Sequence, residues 1–401
     1  VNCGACHADA AGQYANSIHG VSHNNLGSAA ASCADCHGKH EMLPVKHPGS
    51  PVFKLNLPAT CAKCHANTNF TAQYNIKNQT AAAHYLDSIH GQALIKKGLS
   101  VAPSCADCHG VHNILRSQDR GASISHENIA KTCGQCHLKV EEIYDKSVHG
   151  QLLAQGKKGP VCTDCHTAHE VETPRNGHFK QVSDQRCGQC HTESLKHYED
   201  TYHGKAMALG KSSQAPAVAA CYDCHGHHDV LPPDDPNSHL SATNIVATCA
   251  QCHPKANPGF ASYRPHANPL DKENYPMLHV VFLFMTGLLI SVFVFFGLHT
   301  IAWLVRAAYL YWHDSKKFRE AKFEVQQDDE WFTRFAPFER FLHFLVVTSF
   351  LLLVITGMPL KFYYTDWAKT IFAVLGGAES ARMLHRFGAI VTFLYFGLHV
   401  G

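Results

Sequence analysis

Nine C-x-x-C-H motifs dominate this sequence of 401 residues. They account for all 18 cysteines, which lie between Cys3 and Cys252, and a His directly follows the second cysteine of each motif. C-x-x-C-H is the attachment motif of c-type haem, in which both thiols bond the haem vinyl groups and the His binds iron from one side. Zinc sites and C-x-x-C disulfides do not require this His. The pattern therefore predicts nine covalently bound haems.

The residues of these motifs divide into two roles. The expected covalent attachment residues are Cys3, Cys6, Cys33, Cys36, Cys61, Cys64, Cys105, Cys108, Cys133, Cys136, Cys162, Cys165, Cys187, Cys190, Cys221, Cys224, Cys249 and Cys252. The expected proximal iron ligands are His7, His37, His65, His109, His137, His166, His191, His225 and His253. Because haem c is attached outside the cytoplasm, we expect this part of the chain on the periplasmic side of a bacterial or archaeal inner membrane.

An internal repeat organises residues 1–270, and it is the first pattern to look for in such a chain. Four full repeats and a final half repeat start at Cys3, Cys61, Cys133, Cys187 and Cys249. Each full repeat contains two C-x-x-C-H motifs, which we call its first and second motif. Between them lies a segment of the form Y-x-x-[ST]-x-H-G. Another His stands three residues after the proximal His of each second motif.

These additional histidines supply one candidate distal ligand for each haem. The His-Gly set is His19, His90, His149 and His203, the plus-three set is His40, His112, His169 and His228, and His266 serves the half repeat. A plus-three His cannot reach the far face of the haem beside it, so we expect it to bind a neighbouring iron. A competing linker set also recurs once per repeat: His47, His126, His178 and His239. Ligation by two histidines suits electron transfer.

Nine haems in about 270 residues leave too little chain for an ordinary side-chain core. We therefore expect an irregular domain at 1–270, made of short helices and loops around a chain of haems, with little strand. The formal net charge is +2, and neither half of the chain has a basic excess. A nucleic-acid partner is therefore not expected.

Residues 271–401 contain no cysteine and are predicted to form a transmembrane helical domain. Uncharged runs at 278–305 and 341–360 are long enough to span a bilayer. A third run, 384–401, stops where the sequence stops. Its residues from Phe387 onward would form only about 22 Å of helix, so we expect this span to be cut short. The fold class is therefore mainly α, with a haem domain followed by membrane helices.

Four histidines in these runs are candidate ligands of one or two b-type haems: His343, His385, His399 and His299. A His within the membrane is a functional candidate by default. His385 and His399 are separated by about 320° around a helix, so they share a face and could each hold one of two stacked haems.

The runs at 340–360 and 384–400 resemble the di-haem cytochrome b subunits of nickel-iron hydrogenases and formate dehydrogenases. The matching residues are Arg340 with His343, Thr356-Gly357 and His385-Arg386. That family has four or more spans with further haem ligands on later helices, which this sequence lacks. The fusion of the two halves resembles the inner-membrane quinol-oxidising multihaem cytochrome bc proteins of metal-reducing bacteria.

Together these patterns predict a membrane-bound electron conduit. The resemblance implies that menaquinol or another quinol of the membrane pool is oxidised at the membrane domain, and that a periplasmic c-type cytochrome accepts the electrons, with onward transfer to extracellular acceptors as one further step. Asp366, Glu379 and Arg382 lie at the expected level of a quinone site. Two alternatives remain open: an electron-relay subunit of a larger respiratory complex, or a multihaem reductase of a small oxyanion.

Overall fold

The chain is mainly helical, as its sequence predicts. A computed structural model describes residues 2–26, 30–76, 78–174, 177–210, 218–323 and 335–400. These residues contain helices, turns and loops but no β-strand. Two compact units are present: an N-terminal unit of Val1–Leu195 and Ser212–Tyr263, and a C-terminal unit of Lys196–Lys211 and Arg264–Gly401.

The helices before residue 264 are mostly short. After a 3₁₀ turn at Cys3–Ala5 they are α1 (Ala8–Asn16), α2 (Ile18–Leu26), α3 (Cys33–His37), α4 (Leu57–His65), α5 (Thr68–Gln73), α6 (Ala81–Asp87), α7 (Ile89–Gly91, continued by a π turn at Gln92–Lys96), α8 (Cys105–His109), α9 (Ile129–Tyr144), α10 (Val148–Ala154), α11 (Cys162–His166), α12 (Gly177–Gly188), α13 (Thr192–Asp200), α14 (Tyr202–Leu209), α15 (Cys221–His225), α16 (Ile245–Ala250) and α17 (Pro258–Ala261).

The helices after residue 264 are longer. They are α18 (Pro276–His313), α19 (Ser315–Phe323), α20 (Pro337–Lys361), α21 (Asp366–Val374) and α22 (Ala378–Val400). By length and composition, α18 and α20 are able to cross a membrane. The third predicted span lies in α22 and stays a prediction, and its last residue, Gly401, is outside the described residues.

The two kinds of C-x-x-C-H motif have different local structures. The first motifs of repeats two and three lie in longer helices, α4 and α9, and α9 bends at His137 (φ −103°, ψ 43°). The four second motifs instead form separate five-residue helices, α3, α8, α11 and α15. In these six motifs both cysteines therefore lie within one helix, which is long in the two first motifs and short in the four second motifs.

In the C-terminal unit a small core joins α14 to the apolar helices. Leu209 of α14 packs with Ala368 and Phe372 of α21 and with Ala381 of α22, and all four are at most 5% exposed. The ammonium of Lys205 lies 6.0 Å from the centre of the Tyr363 ring. The segment Lys196–Lys211 of the fourth repeat, which includes His203, therefore belongs to the C-terminal unit.

Candidate functional site

Six pairs of histidine rings face each other in the N-terminal unit. In each pair one ring belongs to a C-x-x-C-H motif and the other to the His-Gly or the plus-three set. The centroid separations are 6.3 Å for His19–His65, 6.1 Å for His37–His112, 6.2 Å for His90–His137, 6.0 Å for His109–His169, 6.4 Å for His149–His191 and 6.0 Å for His166–His228. The fold thus brings together twelve of the histidines that the sequence predicts as iron ligands.

The separation suits two imidazoles that bind one metal ion from opposite sides. Nitrogens about 2.0 Å from a shared metal place their ring centroids roughly 6 Å apart, because each centroid lies about 1 Å behind its nitrogen. Ordinary ring pairs occupy a wider range, about 4.5–7 Å. No cluster of three or more His, Cys, Asp or Glu that could hold a metal ion occurs among the described residues. Two axial imidazoles beside a pair of thiols are the donor set of haem c, so these residues fit that group.

The ring pairs follow one rule that joins consecutive repeats. The His-Gly histidine of one repeat faces the first motif of the next, as His19 faces His65. The plus-three His faces the second motif of the preceding repeat, as His112 faces His37. All six pairs obey this rule, so each of these sites is built from two consecutive repeats.

The Y-x-x-[ST]-x-H-G segment presents its His through a recurring set of hydrogen bonds. In the second repeat the hydroxyl of Ser88 donates to the carbonyl of Tyr85 at 2.6 Å and accepts from the amide of Gly91 at 3.1 Å. Ser17, Ser147 and Thr201 make the same two bonds in the other repeats. The hydroxyl therefore caps the helix that carries the His of the segment, which fixes where that helix begins.

The glycine of the same segment is required by close packing. A Cβ at Gly91 would lie 2.0 Å from the carbonyl oxygen of Tyr85, and the corresponding distances at Gly20, Gly150 and Gly204 are 2.0, 2.2 and 2.3 Å. The tyrosine ring is anchored as well, since the Tyr85 hydroxyl donates to the carbonyl of Pro103 at 2.7 Å. The backbone that precedes the His is thereby held against the helix that bears it.

Backbone hydrogen bonds connect these segments between repeats. In three repeats the residue before the His-Gly histidine donates a backbone hydrogen bond to the next repeat. The acceptor is the carbonyl of the residue two positions after the plus-three His. These bonds join Ile18 to Ile114 at 2.8 Å, Ile89 to Val171 at 2.9 Å and Val148 to Val230 at 2.9 Å. They fix the register in which one repeat meets the next, and hence which histidines face each other.

An aspartate caps each second-motif helix. Asp107 accepts from the backbone amide and the hydroxyl of Ser104, at 2.6 and 2.7 Å. Asp35, Asp164 and Asp223 cap the equivalent helices. The residue after the proximal His has a positive φ, which suits Gly110 (82°) but is strained for Thr167 (62°) in the third repeat.

Burial lowers the pKa of nine of the twelve paired histidines, which favours the neutral imidazole. Burial, reinforced by the nearby His169, lowers the pKa of His109 to about 4. Burial is also the main cause of the lowered pKa of further members of the pairs: His19, His37, His65, His90, His149, His166, His169 and His228. A neutral imidazole keeps the lone pair that a metal ligand needs.

The linker histidines lie beside other groups. His126 Nε2 is 3.8 Å from Asp164, His178 Nδ1 is 3.1 Å from Glu172, and His239 Nε2 is 2.9 Å from Asp229. His47 Nδ1 accepts a bond from the amide of Gly49. The distances to the next first-motif cysteine differ, and so the linker histidines do not share one register of the repeat: 14 residues for His47, 7 for His126, 9 for His178 and 10 for His239.

The remaining ligand predictions of the haem half are not resolved by these ring pairs. They concern the proximal residues His7, His225 and His253 and the distal candidates His40, His203 and His266. The ring of His253 lies 4.9 Å from that of Phe260. The assignment of these six residues stays a prediction.

In the C-terminal unit, His385 has a defined partner. Its Nδ1 is 2.8 Å from the hydroxyl of Thr356, which is fully buried and also lies 2.7 Å from the carbonyl of Leu352. Because the single hydroxyl hydrogen goes to the carbonyl, the hydroxyl oxygen accepts from Nδ1–H. The lone pair of His385 is then on Nε2, which leaves that nitrogen able to bind a metal.

No comparable side-chain hydrogen bond is described for the other three candidate b-haem ligands. His343, His399 and His299 are exposed on α20, α22 and α18. Asp366 is fully exposed at the start of α21 and lies 3.4 Å from Lys369. Glu379 and Arg382 form an ion pair with each other on α22. The role of these three residues in a quinone site stays a prediction.

Sequence reasoning missed several residues that shape the sites. Asn78 lies 3.1 Å from Nδ1 of His169 and orients that ring, but no pattern marks it. The capping aspartates did leave a signal, because the four second motifs read C-x-D-C-H and none of the first motifs does. The resemblance to cytochrome b subunits includes Thr356, but no pattern in the sequence marks it as the hydrogen-bond partner of His385.

Comparisons of the chain with known protein families, curated proteins and solved structures found no match.

Proposed function

We propose that this protein is a membrane-anchored electron-transfer protein that binds nine c-type haems and oxidises a quinol. The observation that carries the proposal is the set of six ring pairs with centroids 6.0–6.4 Å apart. Each pair combines the His of a C-x-x-C-H motif with a second imidazole. Such a combination of thiols and histidines is the donor set of a c-type haem with two axial histidines.

When bound, haem of this kind supplies reversible one-electron chemistry at its iron. The protein's own residues would supply the two axial imidazoles, and burial favours the neutral form of nine of the twelve rings. At the six paired sites the chain would provide both axial ligands, so no position would be left for a substrate. This argues for electron transfer rather than for reduction of a small oxyanion.

The composition of the buried core supports the same reading. In the N-terminal unit the buried apolar residues among those described are Leu94, Ala102, Ala122, Ala130, Tyr144, Val161, Phe179, Ala220 and Ala261. Five of these nine are alanine, so side chains supply little of the apolar volume that a domain of this length needs. Porphyrins would supply the rest of the core.

The C-terminal unit would provide the membrane anchor and the quinol-oxidising end. Two of its helices are long and apolar enough to span a bilayer. His385, with its lone pair directed to Nε2 by Thr356, is the candidate b-haem ligand with the best-defined surroundings. His343, His399 and His299 are the further candidates for one or two b haems. Asp366, Glu379 and Arg382 remain candidates for binding quinol and accepting its protons.

The proposed location is the inner membrane of a bacterium or archaeon, with the haem c domain on the periplasmic side. The electron acceptor would be a soluble periplasmic c-type cytochrome, and the electron donor the membrane quinone pool. Further subunits of a respiratory complex would be compatible with the same chemistry.

The pyridine haemochrome spectrum of the purified protein, before and after acid-acetone extraction, tests the proposal. We expect nine haems c per chain that resist extraction and one or two haems b that are extracted. Menaquinol or a soluble analogue should then reduce the c haems. Nine haems c without extractable haem b would favour a relay subunit, and a chain without bound haem would refute the proposal.

A further inference from the structure

We infer that the nine haem sites form a single unbranched row in the order of the sequence, in which consecutive repeats share the interior sites. The inference rests on the proposed function, since it takes the C-x-x-C-H motifs to carry haem. The shared sites follow from the ring pairs: residues from two neighbouring repeats face each other at every one of the six.

Contacts between cysteines order the two motifs within a repeat. The first cysteines of both motifs are in hydrogen-bond contact through their thiols in three repeats. These contacts are Cys61 with Cys105, Cys133 with Cys162 and Cys187 with Cys221. Because each thiol is an attachment point of the porphyrin edge, the two haems of one repeat would meet at these edges.

A second set of cysteine contacts orders the motifs across repeat boundaries. The second cysteine of a second motif lies close enough to interact electrostatically with the first motif of the next repeat. The neighbours are Cys36 with Cys61 and Cys64, Cys108 with Cys136, Cys165 with Cys187, and Cys224 with Cys249 and Cys252. With the contacts inside repeats, these join the second to the ninth motif one after another. The first motif joins the row through His7, which lies close enough to His37 of the second motif to interact electrostatically with it.

Polar contacts support the same order of motifs. Lys54, His126 and Lys180 each stand seven residues before the first cysteine of a first motif. Each contacts the capping aspartate of the second motif in the repeat that begins at that cysteine: Asp107 at 3.4 Å, Asp164 at 3.8 Å and Asp223 at 2.7 Å. His126 thus occupies the position that a lysine has in the other two contacts.

All of these contacts join motifs that are neighbours in the sequence. An electron would therefore move one site at a time, each step oxidising one iron and reducing the next without transfer of atoms. Loss of an interior site would divide the row into two parts.

The shared ligation is tested by combining a ligand variant with a haem deletion. His112→Ala should produce one high-spin haem in the ferric EPR spectrum of the full-length protein. Cys33→Ala/Cys36→Ala should remove one haem c, and adding His112→Ala to it should produce no high-spin signal, because the iron that His112 binds is gone. A high-spin signal in the combined variant would overturn the assignment. The control is Cys105→Ala/Cys108→Ala with His112→Ala, which should keep the signal.

The single row is tested by deleting one haem at a time and measuring the haem fraction that a quinol analogue reduces quickly. Each variant replaces both cysteines of one motif by alanine and keeps eight haems. If electrons enter at the ninth motif, loss of the second, fourth, sixth or eighth haem should leave seven, five, three or one of the eight rapidly reduced. If electrons enter at the first motif, the same variants should leave one, three, five or seven. Dithionite should reduce all eight in each variant. Rapid reduction of all eight by quinol in every variant would overturn the row, whereas a wild type that quinol does not reduce would refute only the proposed function.

A variant that keeps all nine haems guards against misfolding. His169→Ala would open the iron of the fourth motif to cyanide, which stabilises the ferric state. Cyanide should then slow quinol reduction of the haems on one side of that site and leave the wild type unaffected. Unslowed reduction of all other haems with cyanide bound would contradict the row.

Discussion

The rings of His109 and His169 face each other with centroids 6.0 Å apart and planes only 4° apart, although they belong to consecutive repeats. The side-chain amide nitrogen of Asn78 lies 3.1 Å from Nδ1 of His169 and so holds that ring in place. The second repeat therefore contributes both His109 and the residue that orients its partner from the third repeat.

Replacing His169 by Ala should convert one haem from low to high spin, because His169 would supply an axial ligand. We expect one of nine haems to change in the ferric EPR and visible spectra, and added imidazole to restore the low-spin state. His47→Ala is the control, because the only hydrogen bond described for the His47 side chain comes from the amide of Gly49, and this change should leave the spectra unchanged. An unchanged spectrum for His169→Ala would show that this ring is not a ligand.

Replacing Gly91 by Ala should destabilise the N-terminal unit. The new Cβ would lie 2.0 Å from the carbonyl of Tyr85, and relief of such a clash typically costs about 1–3 kcal/mol. Gly12→Ala is the matched control, because Gly12 lies in helix α1 with nothing within 4 Å of the added Cβ. That change should raise stability by about 0.5–1 kcal/mol.

Thermal unfolding followed by the loss of low-spin haem bands compares the two glycine variants. We expect the midpoint to fall for Gly91→Ala and to stay level or rise for Gly12→Ala. Equal shifts in the same direction would show that the contact with Tyr85 relaxes without cost.

Replacing Thr356 by Val should disturb the candidate b-haem site. Valine keeps the shape of threonine but removes the hydroxyl that accepts from Nδ1 of His385. The half-buried ring would therefore lose a hydrogen bond of about 0.5–1.5 kcal/mol and its fixed orientation. We expect loss or a changed midpoint potential of the extractable haem b, measured by redox titration.

The control for this change is Thr392→Val on α22. Thr392 also donates its hydroxyl to a carbonyl of its own helix, that of Gly388 at 2.9 Å, but no His contact is described for it. Its haem b should keep the wild-type potential. Identical spectra and potentials for both variants would contradict a ligand role for His385.

Replacing Leu209 by Ala should weaken the packing of α14 in the C-terminal unit. Leu209 is 5% exposed and contacts Ala368, Phe372 and Ala381, and removal of such a side chain costs about 2–5 kcal/mol. We expect faster proteolysis near residues 202–209 in detergent. Leu138→Ala is the control, because Leu138 is 61% exposed and its loss should leave the cleavage rate unchanged. Equal cleavage rates would place Leu209 outside the stabilising core.

Much about this protein can be predicted from contiguous residues. The C-x-x-C-H motifs identify every candidate haem attachment, because the covalent chemistry needs both thiols and the His on one turn. The uncharged runs predict α18 and α20, because the length and apolarity of a span are properties of one stretch of chain. The repeat also predicts the recurring His-Gly segments, which the structure finds with the same hydrogen bonds in all four repeats.

The pairing of histidines was decided only by the tertiary structure. From the sequence, the plus-three and linker sets both recur once per repeat, and either could supply the distal ligand. The fold separates them: His112, His169 and His228 face motif histidines, whereas His126 meets a carboxylate. The physical reason is that bonds such as Ile18 to Ile114 set the register between repeats, and residues so distant in the chain leave no contiguous pattern to read.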